Sequence, residues 1–183
     1  MAASLIKIVP NVLSSLRLVL AVIYPALPIS WRLPAVVTGA ASDWIDGLIA
    51  RRYQATSASG VLLDAIADKL FTLSVLVTAV VAGDVAWWQA LIVMVRDIAV
   101  ASVAAWCTAV LRRPDAFRHM RPRLPGKITT TLVFIWLIAI LAGAPPPMSW
   151  VLFAIAGVSS AVAAIDYLRI FLMRYSEREA IVT

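Results

Sequence analysis

Six stretches of nearly unbroken apolar sequence, at roughly residues 11–28, 33–52, 60–82, 86–111, 127–141 and 148–172, alternate with short polar connections. A helix that crosses a bilayer needs about 20 apolar residues. In hydrocarbon each backbone N–H and C=O must be satisfied within the protein, which leaves helices as the form for segments that are apolar all round. The chain is therefore expected to be all-α, an integral membrane protein of six transmembrane helices and a single domain over residues 1–183. Residues 1–10 hold Lys7 as their only charge and lack a small-residue cleavage site. They read as an N-terminal interfacial helix leading into the first span, not as a cleaved signal. Pro28, Pro34, Gly83, Pro114, Pro122, Pro125 and the Pro145–Pro147 run punctuate the pattern.

Composition agrees with this pattern. Hydrophobic residues make up 62% of the 183, charged residues 14%, and mean hydropathy is +0.92, against about 25% charged in soluble domains. The lone Cys107 excludes an internal disulfide. The net charge of +6 is unevenly placed. Arg51 and Arg52 close the second span; Arg112, Arg113, Arg118, Arg121, Arg123 and Lys127 fill the fourth connection; Arg169, Arg174 and Arg178 lie in the tail. Of the Lys and Arg residues, the alternate connections hold only Arg32. Lys and Arg accumulate on the cytoplasmic side, so both termini and the basic loops are expected at the cytoplasmic face of the inner membrane. Trp31, Trp87, Trp88 and Trp150 fall at the opposite ends, as an interfacial belt does. The basic loops meet anionic lipid headgroups in this reading, and no nucleic-acid partner is expected.

Four aspartates break the apolar pattern. Asp43 and Asp46 lie near the end of the second span, Asp64 and Asp68 near the start of the third. Ionisable residues inside membrane spans are costly and mark functional sites by default. At 1.5 Å per residue, Asp43 and Asp46 sit roughly 8–12 Å inward from Arg51, and Asp64 and Asp68 roughly 6–12 Å inward from Gly60. Asp43 and Asp46 are three apart, and Asp64 and Asp68 four apart, so each pair shares a helix face. Eight residues separate Arg51 from Gly60. A tight antiparallel hairpin is predicted to converge the two faces in a polar cavity.

Hard carboxylate oxygens suit Mg²⁺, Mn²⁺ or Ca²⁺, and such ions can clamp the oxygens of a phosphoryl displacement. Gly47 and Gly60 would let a diphosphate approach the backbone, and Arg51 offers a guanidinium fork to a phosphate. The competing readings are a set of buried ion pairs with Arg17, Arg51 and Lys69, and a cation or proton transporter with carboxylates as a relay. Four carboxylates with two placed glycines are poorly explained as ion pairs, because each would be desolvated for little return. The transporter reading lacks an inverted repeat or matched broken helices.

The run Asp43-x2-Asp46-Gly47-x2-Ala50-Arg51-x8-Gly60-x3-Asp64-x3-Asp68 resembles the whole signature of the CDP-alcohol phosphotransferases, at every fixed position and spacing. The likeness in length, number of spans and amphipathic start extends over nearly the whole chain. The resemblance implies an enzyme that moves a phosphatidyl group from a CDP-linked donor, CDP-diacylglycerol, to an alcohol, releasing CMP. It implies that Asp43, Asp46, Asp64 and Asp68 hold two divalent ions (Mg²⁺ or Mn²⁺), that Asp68 is also the general base, and that Gly47, Arg51 and Gly60 contact the CDP part. It further implies a homodimer.

The acceptor is read from other residues. Pro10-Asn11-Val12-Leu13-Ser14-Ser15-Leu16-Arg17 resembles the first-helix pattern of the phosphatidylglycerophosphate synthase and cardiolipin synthase branch. Asn11 is a candidate for the nucleotide site or an N-cap of the first span. Arg17 either faces the cavity or pairs an aspartate. Arg96-Asp97 resembles the Arg-acid pair of the same branch; adjacent helical residues point about 100° apart and are not expected to pair with each other, so one faces the cavity or ties to a neighbouring span. Gly126-Lys127-x2-Thr130 resembles another element of the branch, with a departure at Val133, where the branch usually has Gln. Arg17, Arg96, Arg118 and Lys127 are thus the candidate acceptor ligands. His119 is expected at the headgroup level, and Asp166 with Tyr167 either completes the pocket or packs. The expected acceptor is a small polyol phosphate, glycerol 3-phosphate first. Phosphatidylglycerol, giving cardiolipin, and inositol phosphate are the alternatives.

Overall fold

The computed structural model describes residues 2–53, 58–109 and 124–182, and the side chains of residues 12–42, 63, 64, 66–106 and 126–173. All regular structure in the described residues is helical: α1 (Ala2–Ile23), a 3-10 turn (Tyr24–Ala26), α2 (Ile29–Tyr53), α3 (Ala58–Ala82), α4 (Trp87–Ala109), α5 (Leu124–Leu141) and α6 (Pro146–Val182). Each predicted span overlaps one of these helices, with residues 110 and 111 of the fourth outside the described residues.

Three boundaries differ from expectation. The predicted interfacial helix is not separate, because α1 runs unbroken through Pro10. Pro34 does not punctuate: it lies inside α2. Proline there removes the i→i−4 bond to Ser30, and both Ser30 and Pro34 are exposed near the start of the helix, where that loss is tolerated. The last helix continues ten residues past the predicted end at 172, to Val182.

Of the helices, those at Trp87–Trp106 and Pro146–Met173 are long and apolar enough to cross a membrane, and the apolar segments Val12–Ala26 and Gly126–Leu141 are shorter. The described surface is rich in large apolar side chains, while several polar ones are buried beside an apolar core. Ile29, Val81, Val22, Leu172 and Met173 are exposed, whereas Arg17, Ser14, Ser42, Arg96, Thr129 and Ser160 are buried. Small polar side chains between helices, with large apolar ones outside, are what packing in lipid favours.

Two compact units are present. The first comprises Met1–Ala86 with Leu137–Gly143. Within it, α1 is the main neighbour of both α3 and α2, and α2 meets α3 far less. The predicted α2–α3 hairpin thus has α1 as its common partner. Phe71 of α3 is fully buried, edge-on to Tyr24 with ring centroids 6.1 Å apart. A Cβ on Gly39 of α2 would fall 2.2 Å from the Phe71 ring, so only glycine admits this approach. Helix α3 ends in a Schellman cap. Gly83 adopts φ +83°, its N–H donates to Val80 O (3.1 Å), and Asp84 N–H donates to Ala79 O (2.9 Å).

The second unit comprises Trp87–Trp136 with Ala144–Thr183. Here α4 and α6 run parallel. Trp88 stacks on Trp150 (5.8 Å), and eight residues further on the Arg96 N–H donates to Ser160 Oγ (3.2 Å). Helix α5 runs opposite to α6, with Thr129 Oγ1 2.8 Å from Ser159 Oγ and Trp136 5.5 Å from Phe153. The alternation expected of successive spans therefore holds for α4, α5 and α6.

Candidate active site

The first unit carries the four aspartates of the signature. Asp64 and Asp68 lie four apart on α3, both partly exposed, on one helix face as predicted. Asp64 Oδ1 accepts from Ser14 Oγ (3.1 Å) and from Arg17 Nη1 (3.1 Å), both on α1. Arg17 is fully buried and also reaches α2: its Nε and Nη2 donate to Ser42 Oγ at 3.4 and 3.3 Å. One guanidinium thus spans from α3 to the residue preceding Asp43. Ser42 of α2 and Asp64 of α3 are thereby joined through one side chain of α1.

Asp68 is half-buried, and Lys69 Nζ stands 3.9 Å from its Oδ2. Its backbone carbonyl accepts from Thr72 Oγ1 (2.9 Å), a local bond within α3. Asp43, Asp46, Gly47 and Arg51 lie on α2, Gly60 on α3 and Asn11 on α1, with side chains outside the described residues. Among the described residues no group of three or more His, Cys, Asp or Glu gathers around a point. The donor chemistry of the described pair nonetheless suits a hard divalent ion. The Asp64 carboxylate is anchored through one oxygen while its side chain stays 43% exposed, as a carboxylate must be to take another ligand.

By its place in the sequence, Arg17 is a candidate acceptor ligand. Its side chain is 0% exposed and sits on Asp64 and Ser42. Sequence reasoning missed Ser14 and Ser42, which share this network. The available signal was their placement: Ser14 is three residues before Arg17, on one helix face, and Ser42 adjoins Asp43.

In the second unit, Arg96 and Asp97 pair with each other, at 2.7 Å from Nη2 and 3.2 Å from Nε to Oδ1. This corrects the expectation drawn from helical geometry. A 100° separation at Cα does not keep an arginine apart from its neighbour, because its long side chain can swing back. Arg96 also ties two helices together. Its Nη1 donates to the Gly126 carbonyl and to Thr130 Oγ1 (3.2 Å) at the start of α5. Tyr167 Oη closes the same spot, 3.6 Å from where a Gly126 Cβ would lie. Lys127, next to Gly126, is exposed. Val133, the departure noted in sequence, is buried. Arg118 and His119 lie outside the described residues.

These features define a helical protein with an apolar exterior, in which buried polar side chains hold an acidic face. Over residues 7–164 the chain matches the family model for CDP-alcohol phosphatidyltransferases, and it belongs to that family. A Pseudomonas fluorescens relative, named a CDP-diacylglycerol–glycerol-3-phosphate 3-phosphatidyltransferase, is 30% identical over 178 residues, 88% of each chain. A Yersinia enterocolitica protein of the same name is 29% identical, over 72% of this chain and 76% of its own. A Mycobacterium tuberculosis protein named "Putative cardiolipin synthase" is 38% identical over 94 residues, 49% of this chain and 45% of that protein. The chain therefore matches about half the length of that mycobacterial relative.

Proposed function

We propose that this protein is an integral inner-membrane enzyme, one domain of six spans with its site open to the cytoplasm, that transfers the phosphatidyl group of CDP-diacylglycerol to glycerol 3-phosphate. The products are phosphatidylglycerophosphate and CMP. The observation that carries the reading is likeness along nearly the full length to a relative named for that reaction, covering 88% of both chains.

Asp43, Asp46, Asp64 and Asp68 would hold divalent ions, Mg²⁺ or Mn²⁺, which when bound neutralise the diphosphate and polarise its phosphorus–oxygen bonds. Gly47, Gly60, Arg51 and Asn11 bind the CDP part. Asp68 takes the proton of the acceptor hydroxyl as its oxygen attacks the phosphatidyl phosphorus. The bond from that phosphorus to the bridging oxygen breaks, and CMP leaves with the electron pair. Lys127, exposed at the start of α5, and Arg118 of the basic loop receive the phosphate of the acceptor. Arg96 braces the start of α5, which carries Lys127. The enzyme works as a homodimer.

A second reading, cardiolipin synthesis with phosphatidylglycerol as acceptor, draws on the higher identity to the mycobacterial relative and on the Arg96-Asp97 pair. Purified protein given CDP-diacylglycerol, Mg²⁺ or Mn²⁺ and each acceptor in turn separates the two. Phosphatidylglycerophosphate with stoichiometric CMP is expected from glycerol 3-phosphate. Cardiolipin from phosphatidylglycerol, with no turnover of glycerol 3-phosphate, would overturn the first reading. Cation flux without CMP release would point to a transporter.

A further inference from the structure

A buried arginine in an apolar chain must be well bonded to be kept there, and the bonds of Arg17 have a definite order. Ser42 Oγ donates to the Gly39 carbonyl at 2.8 Å, which leaves its lone pairs to accept the Nε and Nη2 edge of the guanidinium. With that edge held on α2, Nη1 points to Asp64 on α3, where Ser14 of α1 meets the same carboxylate oxygen. One oxygen of the carboxylate is thus held by α1, whose arginine is itself anchored on α2, while the Asp64 side chain stays 43% exposed.

We infer that Arg17, with Ser14 and Ser42, is a positioning residue for Asp64, setting the orientation in which that carboxylate binds a divalent ion, and is not a ligand of the acceptor. This rests on the reading of Asp64 as an ion ligand. The planar fork matters beyond its charge. A lysine ammonium is a point donor on a flexible stem and cannot hold Ser42 by an edge while aiming a separate N–H at Asp64.

The test is Mn²⁺ binding to the full-length, substrate-free protein in detergent, read from the electron paramagnetic resonance signal of free Mn²⁺. Arg17→Lys, Ser42→Ala and Asp64→Asn are compared with the parent. Groups that orient metal ligands typically contribute 10- to 100-fold in metal affinity, so Arg17→Lys is expected to weaken Mn²⁺ binding by about tenfold or more. Ser42→Ala should weaken it less, by about threefold, since only the anchoring edge is lost. In an Asp64→Asn background, Arg17→Lys should add little, because the two act as one unit.

Unchanged Mn²⁺ affinity in Arg17→Lys, with a raised KM for the acceptor, would overturn the inference. If Arg17→Lys does not fold, unchanged affinity in Ser42→Ala overturns it instead. A different result marks failure of the underlying reading: Asp64→Asn itself leaving Mn²⁺ binding intact.

Discussion

Arg96, midway along α4, donates to the backbone carbonyl of Gly126, the residue immediately before Lys127 on α5. The same guanidinium holds Thr130 one turn later and pairs with Asp97 behind it. The start of α5, and with it the backbone that carries Lys127, is thereby pinned to α4. The first four N–H groups and last four C=O groups of a helix lack partners within it, but the Gly126 carbonyl is not among them. It also accepts from Thr130 Oγ1 at 3.1 Å, so this carbonyl serves as a junction between two helices.

Loss of Arg96 should therefore be felt first as stability. Arg96→Met is expected to cost about 3–5 kcal/mol, the usual penalty for removing one partner of a buried ion pair. Arg96→Lys should recover only part of it, since the fork geometry is lost. Thermal unfolding of the detergent-solubilised protein reads this directly. A normal melting temperature with a raised KM for glycerol 3-phosphate would mean that Arg96 binds the acceptor instead of bracing the start of α5.

Lys127 should behave in the opposite way. It is exposed and next to the pinned turn. Lys127→Ala is expected to leave the melting temperature unchanged and to raise the KM for glycerol 3-phosphate by about tenfold, the scale of a lost charge-assisted hydrogen bond of about 1.5–3 kcal/mol. Initial rates over a range of acceptor concentrations, with CDP-diacylglycerol saturating, provide the check.

The close approach of α2 to α3 at Gly39 gives a packing prediction. A methyl there would overlap the buried Phe71 ring at 2.2 and 2.6 Å, and the ring is boxed in by Tyr24. Gly39→Ala should destabilise by about 1–3 kcal/mol, as overpacked cores do. Combining it with Phe71→Leu should restore part of the loss. If the double variant is no more stable than the sum of the two single changes, the contact is not the cause.

Asp68→Asn is expected to abolish CMP release while leaving CDP-diacylglycerol binding largely intact, since amide and carboxylate are similar in size but only the carboxylate accepts a proton. Chelation of divalent ions should abolish activity as well, with recovery on adding Mg²⁺ or Mn²⁺. Normal turnover by Asp68→Asn would remove it as the base.

The helices and the acidic face of α3 were legible because they depend on local order. Apolar runs of membrane length can only be helices, and a spacing of four places Asp64 and Asp68 on one face whatever surrounds them. The stop after Ala82 was legible for a similar reason, since Gly83 alone there takes a positive φ without strain. Helix ends were less legible. Proline marks a break only where its missing N–H cannot be spared, and at Pro34 it could.

The partners of the two buried arginines could not be read in advance. Arg17 finds Asp64 across 47 residues and Ser42 across 25, and Arg96 finds Gly126 across 30. No periodicity encodes such pairings; they follow from which helices become neighbours. The sequence by itself determined an all-helical chain, a signature of four aspartates and the family it belongs to, because these rest on spacing and residue type. Tertiary structure alone decided that α1 is the common neighbour of α2 and α3, that Asp64 is anchored through one oxygen by Arg17 and Ser14, and that Arg96 supports α5 while pairing with its own neighbour. The reason is physical: a guanidinium buried among apolar residues must take whatever oxygen atoms the packing brings within reach.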